Sequence, residues 1–226
     1  MLIETTNNFH AMSPMFYRKI ACIIVLLMTL SFGAWGQQTL VLPCAGDTWI
    51  DQRAENRNNN NDKDTKVDVM CLTFSSVQAS SRGYLNFDLS AIPAGATLTA
   101  ANLSLYFWPE SPSSHYPRGD NKFTLRRVLT KWDEKTLTWT NAAGLGVSSQ
   151  NTYTHSATTL SSHDYTNMDV TELVKDMIAD PDNSFGFDIR LLTETPQKQL
   201  HFCSKNYADT SLHPKLTVTY VAPPTT

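Results

Sequence analysis

The stretch Gly83-Tyr-Leu-Asn-Phe-Asp-Leu89 carries an apolar side chain at every second position. Successive side chains of a strand point to opposite faces of its sheet, so the leucines and the phenylalanine share one face while Tyr84, Asn86 and Asp88 share the other. Such alternation is typical of a strand that is buried on one side. The stretch therefore predicts a strand that packs its apolar face on a hydrophobic core.

Similar runs, separated by glycine, proline, asparagine and serine, continue along the chain and predict an all-β fold. The expected strands cover residues 39–42, 48–51, 66–72, 83–88, 101–108, 123–128, 136–139, 185–192, 200–204 and 215–220. One helix is expected after Asp169, because Glu172 stands at the spacing of a capping box and an apolar stripe follows before Pro181. The predicted fold is an all-β, jelly-roll-like antiparallel β-sandwich with one short helix.

The N-terminus has the pattern of a secretory signal peptide. Arg18 and Lys19 precede an apolar run over residues 20–30, and the small residues Ala34 and Gly36 end the segment. The run is shorter than the ~20 residues that a spanning helix needs. Residues 1–36 are therefore predicted to be a signal peptide, in which residues 1–11 are a non-native extension. Residues 37–221 are predicted to form a single sandwich domain, and residues 222–226 a tail or linker.

The net charge and the cysteines indicate which ligands and which redox compartment the sequence predicts. The chain has 18 Lys and Arg against 21 Asp and Glu, which gives a net charge of −3. This charge does not indicate a basic surface that would bind nucleic acid. No membrane association is expected after the signal is cleaved. Cys44, Cys71 and Cys203 would then lie in an oxidising compartment, where disulfides persist. Three cysteines allow at most one bridge within the chain, and the sequence leaves open which pair forms it.

Extending the alternation to neighbouring strands predicts an outward sheet face that combines aromatic rings with hydrogen-bond donors. Sugars present apolar C–H faces and many hydroxyls, which suits such a surface, and arginine adds bidentate capture of carboxylate or sulfate. The candidate ligand-binding residues are Tyr84, Asn86, Tyr106, Trp108, Arg126, Arg190, His201 and Lys205. The alternative is a solvated face crossed by ion pairs, such as Asp188 with a neighbouring arginine.

Three further predictions concern loops and tryptophans. His115, Tyr116 and Arg118 form a second candidate sugar site in a loop. Residues 56–64 are expected to form a long exposed loop, in which Asp62 and Asp64 are calcium candidates. The glycine and terminal glutamate of an EF-hand are absent, so a disordered polar loop without any cofactor is the alternative.

Burial is expected for Trp132 and Trp139, and exposure for Trp49 and Trp108.

Eight blocks, in order, resemble the DNRLRE domain, also known as carbohydrate-binding module family 96. They are Gly46-Asp-Thr-Trp-Ile50, Arg82-Gly-Tyr-Leu-Asn-Phe-Asp-Leu-Ser-Ala-Ile-Pro-Ala-Gly-Ala96, Ala100-Ala-Asn-Leu-Ser-Leu-Tyr106, Trp132-Asp-Glu-Lys-Thr-Leu-Thr-Trp139, Asp169-Val-Thr-Glu-Leu-Val174, Ser184-Phe-Gly-Phe187, Phe202-Cys-Ser-Lys205 and His213-Pro-Lys-Leu-Thr-Val-Thr-Tyr220. The chain departs from the family pattern after Ile50, where an Asn-rich stretch replaces a turn, and at Cys203. The resemblance implies a jelly-roll-like sandwich and glycan binding, with acidic algal polysaccharides among the ligands of some members.

The expected function is that of a secreted or cell-surface, non-catalytic module that binds extracellular polysaccharide. No nucleophile elbow or zinc-protease helix occurs in the sequence. One alternative is a structural or adhesive surface protein without glycan specificity. The other is a polysaccharide lyase, because Tyr84, His201 and Arg190 on one face would permit that chemistry, and a fold alone does not give a function.

Overall fold

The alternating stretch at Gly83 lies in β3, Val77–Phe87, one of ten strands in a computed structural model that describes residues 36–110, 115 and 120–223. The other strands are β1 (Gln37–Asp51), β2 (Lys66–Phe74), β4 (Thr97–Leu105), β5 (Phe123–Arg127), β6 (Tyr153–His155), β7 (Tyr165–Asp169), β8 (Phe187–Leu191), β9 (Lys198–Cys203) and β10 (Lys215–Val221). All the strand pairs are antiparallel.

The strands curl into two layers that share β1. Its first half pairs with β10, and β4 and β7 continue that layer. After a register shift between Cys44 and Gly46, its second half pairs with β3, which leads to β8, β5 and β6. β2 forms a hairpin with β3 and then pairs with β9. The prediction of an all-β antiparallel sandwich is confirmed.

The helical content differs from the prediction in one place. The expected helix is present as α2, Thr171–Ala179, and it buries Leu173, Val174 and Met177. A second, one-turn helix, α1 at Trp139–Ala142, replaces part of the strand expected at residues 136–139. Thr138 and Asn141 form a capping box there, so local hydrogen bonds favour a helical turn over an extended strand. The prediction of a single helix is therefore wrong.

The capping box predicted for α2 does not form. Val170 occupies the N-cap position, and no side chain caps the helix. The Asp169 carboxylate instead accepts hydrogen bonds from the backbone N–H of Thr171, over 3.0 Å, and from its hydroxyl. The acidic residue thus closes a tight turn between β7 and α2.

The main core fills the space between the layers and contains Leu85, Phe87, Leu105 and Phe123. Two close approaches require glycine. A Cβ at Gly83 would lie 2.5 Å from Cγ1 of Val67 in β2. A Cβ at Gly186, whose φ is +86°, would lie 2.0 Å from the carbonyl oxygen of Leu85. No other residue fits these positions without moving backbone or core.

A smaller apolar cluster lies on the opposite face of β3, and we call it the outer cluster. It consists of buried Ile50, Tyr84, Val128 and Leu137. Trp132, Trp139 and Phe185 pack against it while remaining partly exposed. The segment after β5 therefore covers part of a sheet face that the alternation alone would leave open to water.

Cys44, Cys71 and Cys203 are buried and free, so the disulfide expected within the mature chain does not occur among the described residues. Burial raises the pKa of the Cys203 thiol to about 12, which keeps it protonated.

The predicted signal peptide lies outside the described residues except for Gly36, as does the end of the tail. Within the described ranges, no helix has the length and apolar character to span a bilayer.

Candidate functional site

Three arginine side chains gather on the outer face of β3, β8 and β5, beside the outer cluster. In the strand register Tyr84 and Arg126 both stand opposite Asp188, which places all three side chains on this face. Arg190 follows Asp188 by two residues on β8, and Arg82 precedes Tyr84 by two residues on β3. We call this surface the arginine face and define it as Arg82, Arg126 and Arg190 with Asp188 and Glu194.

Asp188 is fully buried and holds two of the three guanidinium groups. Arg126 donates from Nε and Nη2 to Asp188 Oδ2 over 3.0 and 2.8 Å. Arg190 donates from Nε to Oδ2 over 2.8 Å and from Nη2 to Oδ1 over 2.6 Å. The arginine side chains remain 24% and 19% exposed, whereas Asp188 is 0% exposed. One buried carboxylate thus fixes two cations at the surface.

Arg82 is fixed in a similar way by Glu194. Its Nε and Nη2 donate to the two carboxylate oxygens, over 2.8 Å each. Its guanidinium carbon also lies 4.7 Å from the ring centroid of Trp139, a distance suited to cation–π attraction. Three guanidinium groups against two carboxylates leave one unit of positive charge on the arginine face. A cationic, partly aromatic surface of this kind suits an anionic ligand.

Tyr84, predicted to face the ligand, belongs to the outer cluster and is buried. Its ring lies 5.7 Å from that of Trp132, and Asp188 is its partner in the strand register. Burial raises the pKa of its hydroxyl, with Asp188 adding to the effect. Tyr84 therefore lies beneath the arginine face and does not form part of its exposed surface.

Trp108 and His201 belong to a second group, at β2 and β9. Their rings lie 6.1 Å apart, and Trp108 Nε1 donates to the Thr65 hydroxyl over 3.1 Å. Lys66 Nζ lies 5.6 Å from the ring of Trp108 and 2.5 Å from Asp68 Oδ2. Burial lowers the pKa of His201 to about 3, so its ring is neutral at pH 7. Trp49, expected to be exposed, is buried, with its Nε1 donating to Asp64 Oδ2 over 2.8 Å.

Lys205 lies in a third group, which joins three of the blocks singled out in the sequence. Its Nζ lies 3.1 Å from Glu134 Oε2, which also accepts the backbone N–H of Asp47 over 3.1 Å. The backbone N–H of Lys205 donates in turn to Asp47 Oδ2 over 2.6 Å. A Cβ at Gly46 would lie 3.2 Å from Glu134 Oε2. These contacts tie the segment after β5 to β1 and to the end of β9.

The two remaining candidates lie in other surroundings. Tyr106 is half-buried, and Lys215 Nζ lies 5.0 Å from its ring centroid. Asn86 lines a groove of about 690 Å³ at the turn after β3, which α2 closes from the other side through Met177 and Ile178. The eight predicted residues thus do not form one continuous set of contacts: Tyr84, Arg126 and Arg190 lie together, Trp108 and His201 lie together, and the others have different neighbours.

The predicted loop sites also have defined surroundings. In residues 56–64, Asn60 donates to the carbonyl oxygen of Leu137 over 3.2 Å and Asn61 to that of Trp49 over 2.8 Å, so the loop is held by hydrogen bonds. Asp62 and Asp64 are half-buried, and the described residues contain no group of three or more His, Cys, Asp or Glu residues suited to a metal ion. His115 is fully buried, whereas Tyr116 and Arg118 lie outside the described residues.

Sequence reasoning missed Arg82, Trp139 and Glu194 as members of a surface site. Arg82 could have been found, because it continues the alternation of Tyr84 and Asn86 by one step. The sequence pattern places Trp139 in a buried strand, and Glu194 lies beyond the strand predicted at residues 185–192. Their positions depend on α1 and on the turn after β8, for which periodicity gives no signal.

Comparisons with known proteins identify the family of the chain. No curated protein matches the chain. A family model described as carbohydrate-binding module family 96 matches residues 38–220, a range that begins in β1 and ends in β10. This range includes the arginine face and all the contacts described above. The chain therefore belongs to carbohydrate-binding module family 96.

Proposed function

We propose that the protein is a secreted, non-catalytic module that binds an acidic extracellular polysaccharide at its arginine face. Membership of a carbohydrate-binding family supports the ligand class. One observation supports an acidic ligand: three guanidinium groups lie on one face, held by two carboxylates, with Trp139 beside them. The net charge of the whole chain is −3, so an anionic ligand would be attracted by this local surface and not by the overall charge.

The hydrogen bonds of the arginine face leave one part of each guanidinium for a ligand. All three arginines use Nε and Nη2 for Asp188 or Glu194. No hydrogen bond among the described residues engages Nη1 of Arg82, Arg126 or Arg190. Ligand carboxylate or sulfate groups would therefore be bound through Nη1. The cations would need no reorganisation, because their side chains are already held in place.

A binding role accounts for the geometry better than the lyase alternative. That alternative needs Tyr84, His201 and Arg190 to converge on one substrate. Tyr84 is buried under the arginine face with a raised pKa, and His201 contacts Trp108 and Asp68 instead. The alternative of a purely structural surface protein predicts no glycan affinity at all, which makes it open to direct test.

Affinity electrophoresis with acidic and neutral polysaccharides tests the proposal. We expect an acidic polysaccharide to retard the protein without releasing new reducing or unsaturated ends. The double variant Arg126→Lys and Arg190→Lys keeps both charges but loses the planar forks, and we expect it to lose most of the retardation. Lys175→Gln on α2 is the control, because it removes an exposed cation from another part of the surface. Equal retardation of all three proteins would contradict the proposal, and product formation would favour the lyase.

A further inference from the structure

A separate pocket of about 410 Å³ lies in the segment after β5, where Trp132, Leu137 and Leu145 line it together with polar side chains. Its size falls in the range of roughly 300–1,000 Å³ that is usual for small-molecule sites. None of its lining residues belongs to the arginine face. The pocket therefore needs an explanation of its own.

The apolar part of the pocket is held in place by a hydrogen bond and a ring contact. Trp132 Nε1 donates to the carbonyl oxygen of Phe185 over 2.6 Å, and the Tyr84 ring lies 5.7 Å from the Trp132 ring. Leu137 is buried beside it in the outer cluster. Trp132 thus offers a fixed aromatic surface, and fixed rings bind at a low cost in conformational entropy. Such a surface suits the apolar C–H face of a sugar ring.

The polar part of the pocket offers both kinds of hydrogen-bonding group. Asp133 Oδ1 accepts the backbone N–H of Lys135 over 2.9 Å, which holds the carboxylate in place. Lys131 supplies an ammonium donor, and the Thr136 hydroxyl can donate and accept. The Asn141 amide is used within α1, since its Oδ1 accepts from Thr138 N over 2.8 Å. Adjacent acceptors and donors of this kind match neighbouring hydroxyls on one sugar ring.

The charges of the pocket give no net attraction for an anion. Asp133 and Lys131 are its charged residues, and together they carry no net charge. A ligand carboxylate near Asp133 would be repelled, whereas an uncharged ring could bond to both groups. This contrasts with the arginine face, where guanidinium groups exceed carboxylates by one.

We propose that this pocket is a second carbohydrate-binding site, which takes one neutral pyranose unit stacked on Trp132 with its hydroxyls bound by Asp133 and Lys131. The proposal does not depend on the function of the arginine face. It assigns the segment after β5 a ligand of its own, in addition to its role in covering the sheet.

The test is a titration of the protein with glucose, mannose, galactose and xylose and their β-linked disaccharides. The readout is the indole N–H signal of Trp132 in NMR spectra, assigned with Trp132→Phe. We expect at least one sugar to shift this signal in a saturable way. Asp133→Asn keeps an acceptor for Lys135 N but loses the charge, so binding should weaken roughly tenfold. If no sugar in this panel shifts the Trp132 signal, the proposal is overturned.

Matched variants separate this pocket from the arginine face. Thr136→Arg fills the pocket from an exposed position and should abolish the shift, whereas Thr159→Arg makes the same change at an exposed threonine elsewhere and should not. Arg126→Lys with Arg190→Lys should leave neutral-sugar binding intact. Loss of that binding in the arginine variant, or equal effects of the two threonine variants, would place the sugar elsewhere and refute the proposal. Thr136→Arg should still be retarded by the acidic polysaccharide.

Discussion

Asp47 is a buried carboxylate in a closed ring of contacts. Its Oδ2 accepts the backbone N–H of Lys205 over 2.6 Å, and Cys44 Sγ lies 3.8 Å from the same oxygen. Glu134 accepts the backbone N–H of Asp47, and Lys205 pairs with Glu134. Burial raises the pKa of Asp47 to about 6, and repulsion from Glu134 adds to this, against the opposing effect of Lys205. The charged form is thus disfavoured in the folded protein.

Replacing Asp47 by Asn should change how stability depends on pH. Because the folded pKa lies above the unfolded one, the group contributes stability that is complete below about pH 4 and is lost as the pH rises through 6. Asp47→Asn should therefore be more stable than the wild type at pH 7.5, by roughly 2–3 kcal/mol. Near pH 4 the advantage should vanish. Urea unfolding of both proteins across this range measures the difference, and a constant difference would contradict the pKa of Asp47.

Gly186 carries the sharpest backbone constraint in the described residues. Its φ is +86°, and a Cβ would meet the Leu85 carbonyl oxygen at 2.0 Å. Gly186→Ala should destabilise the fold by about 2 kcal/mol or more, since both strain and overlap must be relieved. Gly144→Ala is the control, because its added Cβ would lie at an ordinary 3.6 Å from the nearest atom. Thermal unfolding compares the two variants, and equal melting temperatures would refute the argument.

At the scale of elements, the one-turn helix α1 positions Trp139 on Arg82. Thr138 Oγ1 accepts the backbone N–H of Asn141 over 3.4 Å, and Asn141 Oδ1 accepts that of Thr138 over 2.8 Å. Thr138→Ala should cost about 1 kcal/mol, the usual effect of losing an N-cap side chain. It should also weaken retardation by acidic polysaccharide, because Trp139 loses its fixed position.

Thr136→Ala provides the control for Thr138→Ala, because it removes a hydroxyl of the same segment whose bond to the Asp133 carbonyl oxygen is long, at 3.5 Å. Chemical denaturation and affinity electrophoresis measure the two effects. A similar loss in both variants would mean that the capping box has no special role in holding Trp139.

The helix α1 also shows where the prediction of strands from alternation fails. Alternation located β10 and the second half of β3, and it located the two halves of β1 as separate strands at residues 39–42 and 48–51. It failed at residues 136–139, where a capping box competes with extended backbone and no strand pairs with the segment. It also missed β6 and β7, which are only three and five residues long.

The candidate site was predictable in part for the same reason. Arg126 and Arg190 were placed on one face with Asp188, because side-chain direction follows from sequence within a strand and from register between strands. The burial of Tyr84 could not be predicted, because the outer cluster forms from residues far apart in the chain, such as Leu137. Long-range cover over a sheet face leaves no local pattern in the sequence.

At the scale of the whole molecule, β1 connects the two layers and begins at the predicted cleavage site. Its first residue, Gln37, pairs with Val221 of β10, and the pairing continues without a break to Pro43. A cut before Gln37 would therefore leave the sheet intact, whereas a cut a few residues later would remove pairs from β10. Residues Gln37–Thr226 also form one compact unit. The proposed mature protein and the folded unit thus have the same first residue.

We therefore predict that the full chain, expressed in a bacterium with a general secretory pathway, yields an exported protein whose N-terminal residue is Gln37. If residues 1–36 are a signal peptide, as the sequence predicts, the basic flank, the apolar run and the small exit residues would direct cleavage to this bond. Intact mass and N-terminal sequencing of the exported protein measure the cleavage site. The control is Ala34→Leu with Gly36→Leu, which removes the small residues and should leave the leader uncut. An exported protein that still contains Arg18 and Lys19 would contradict the signal-peptide assignment, and with it the proposal that this module acts outside the cell.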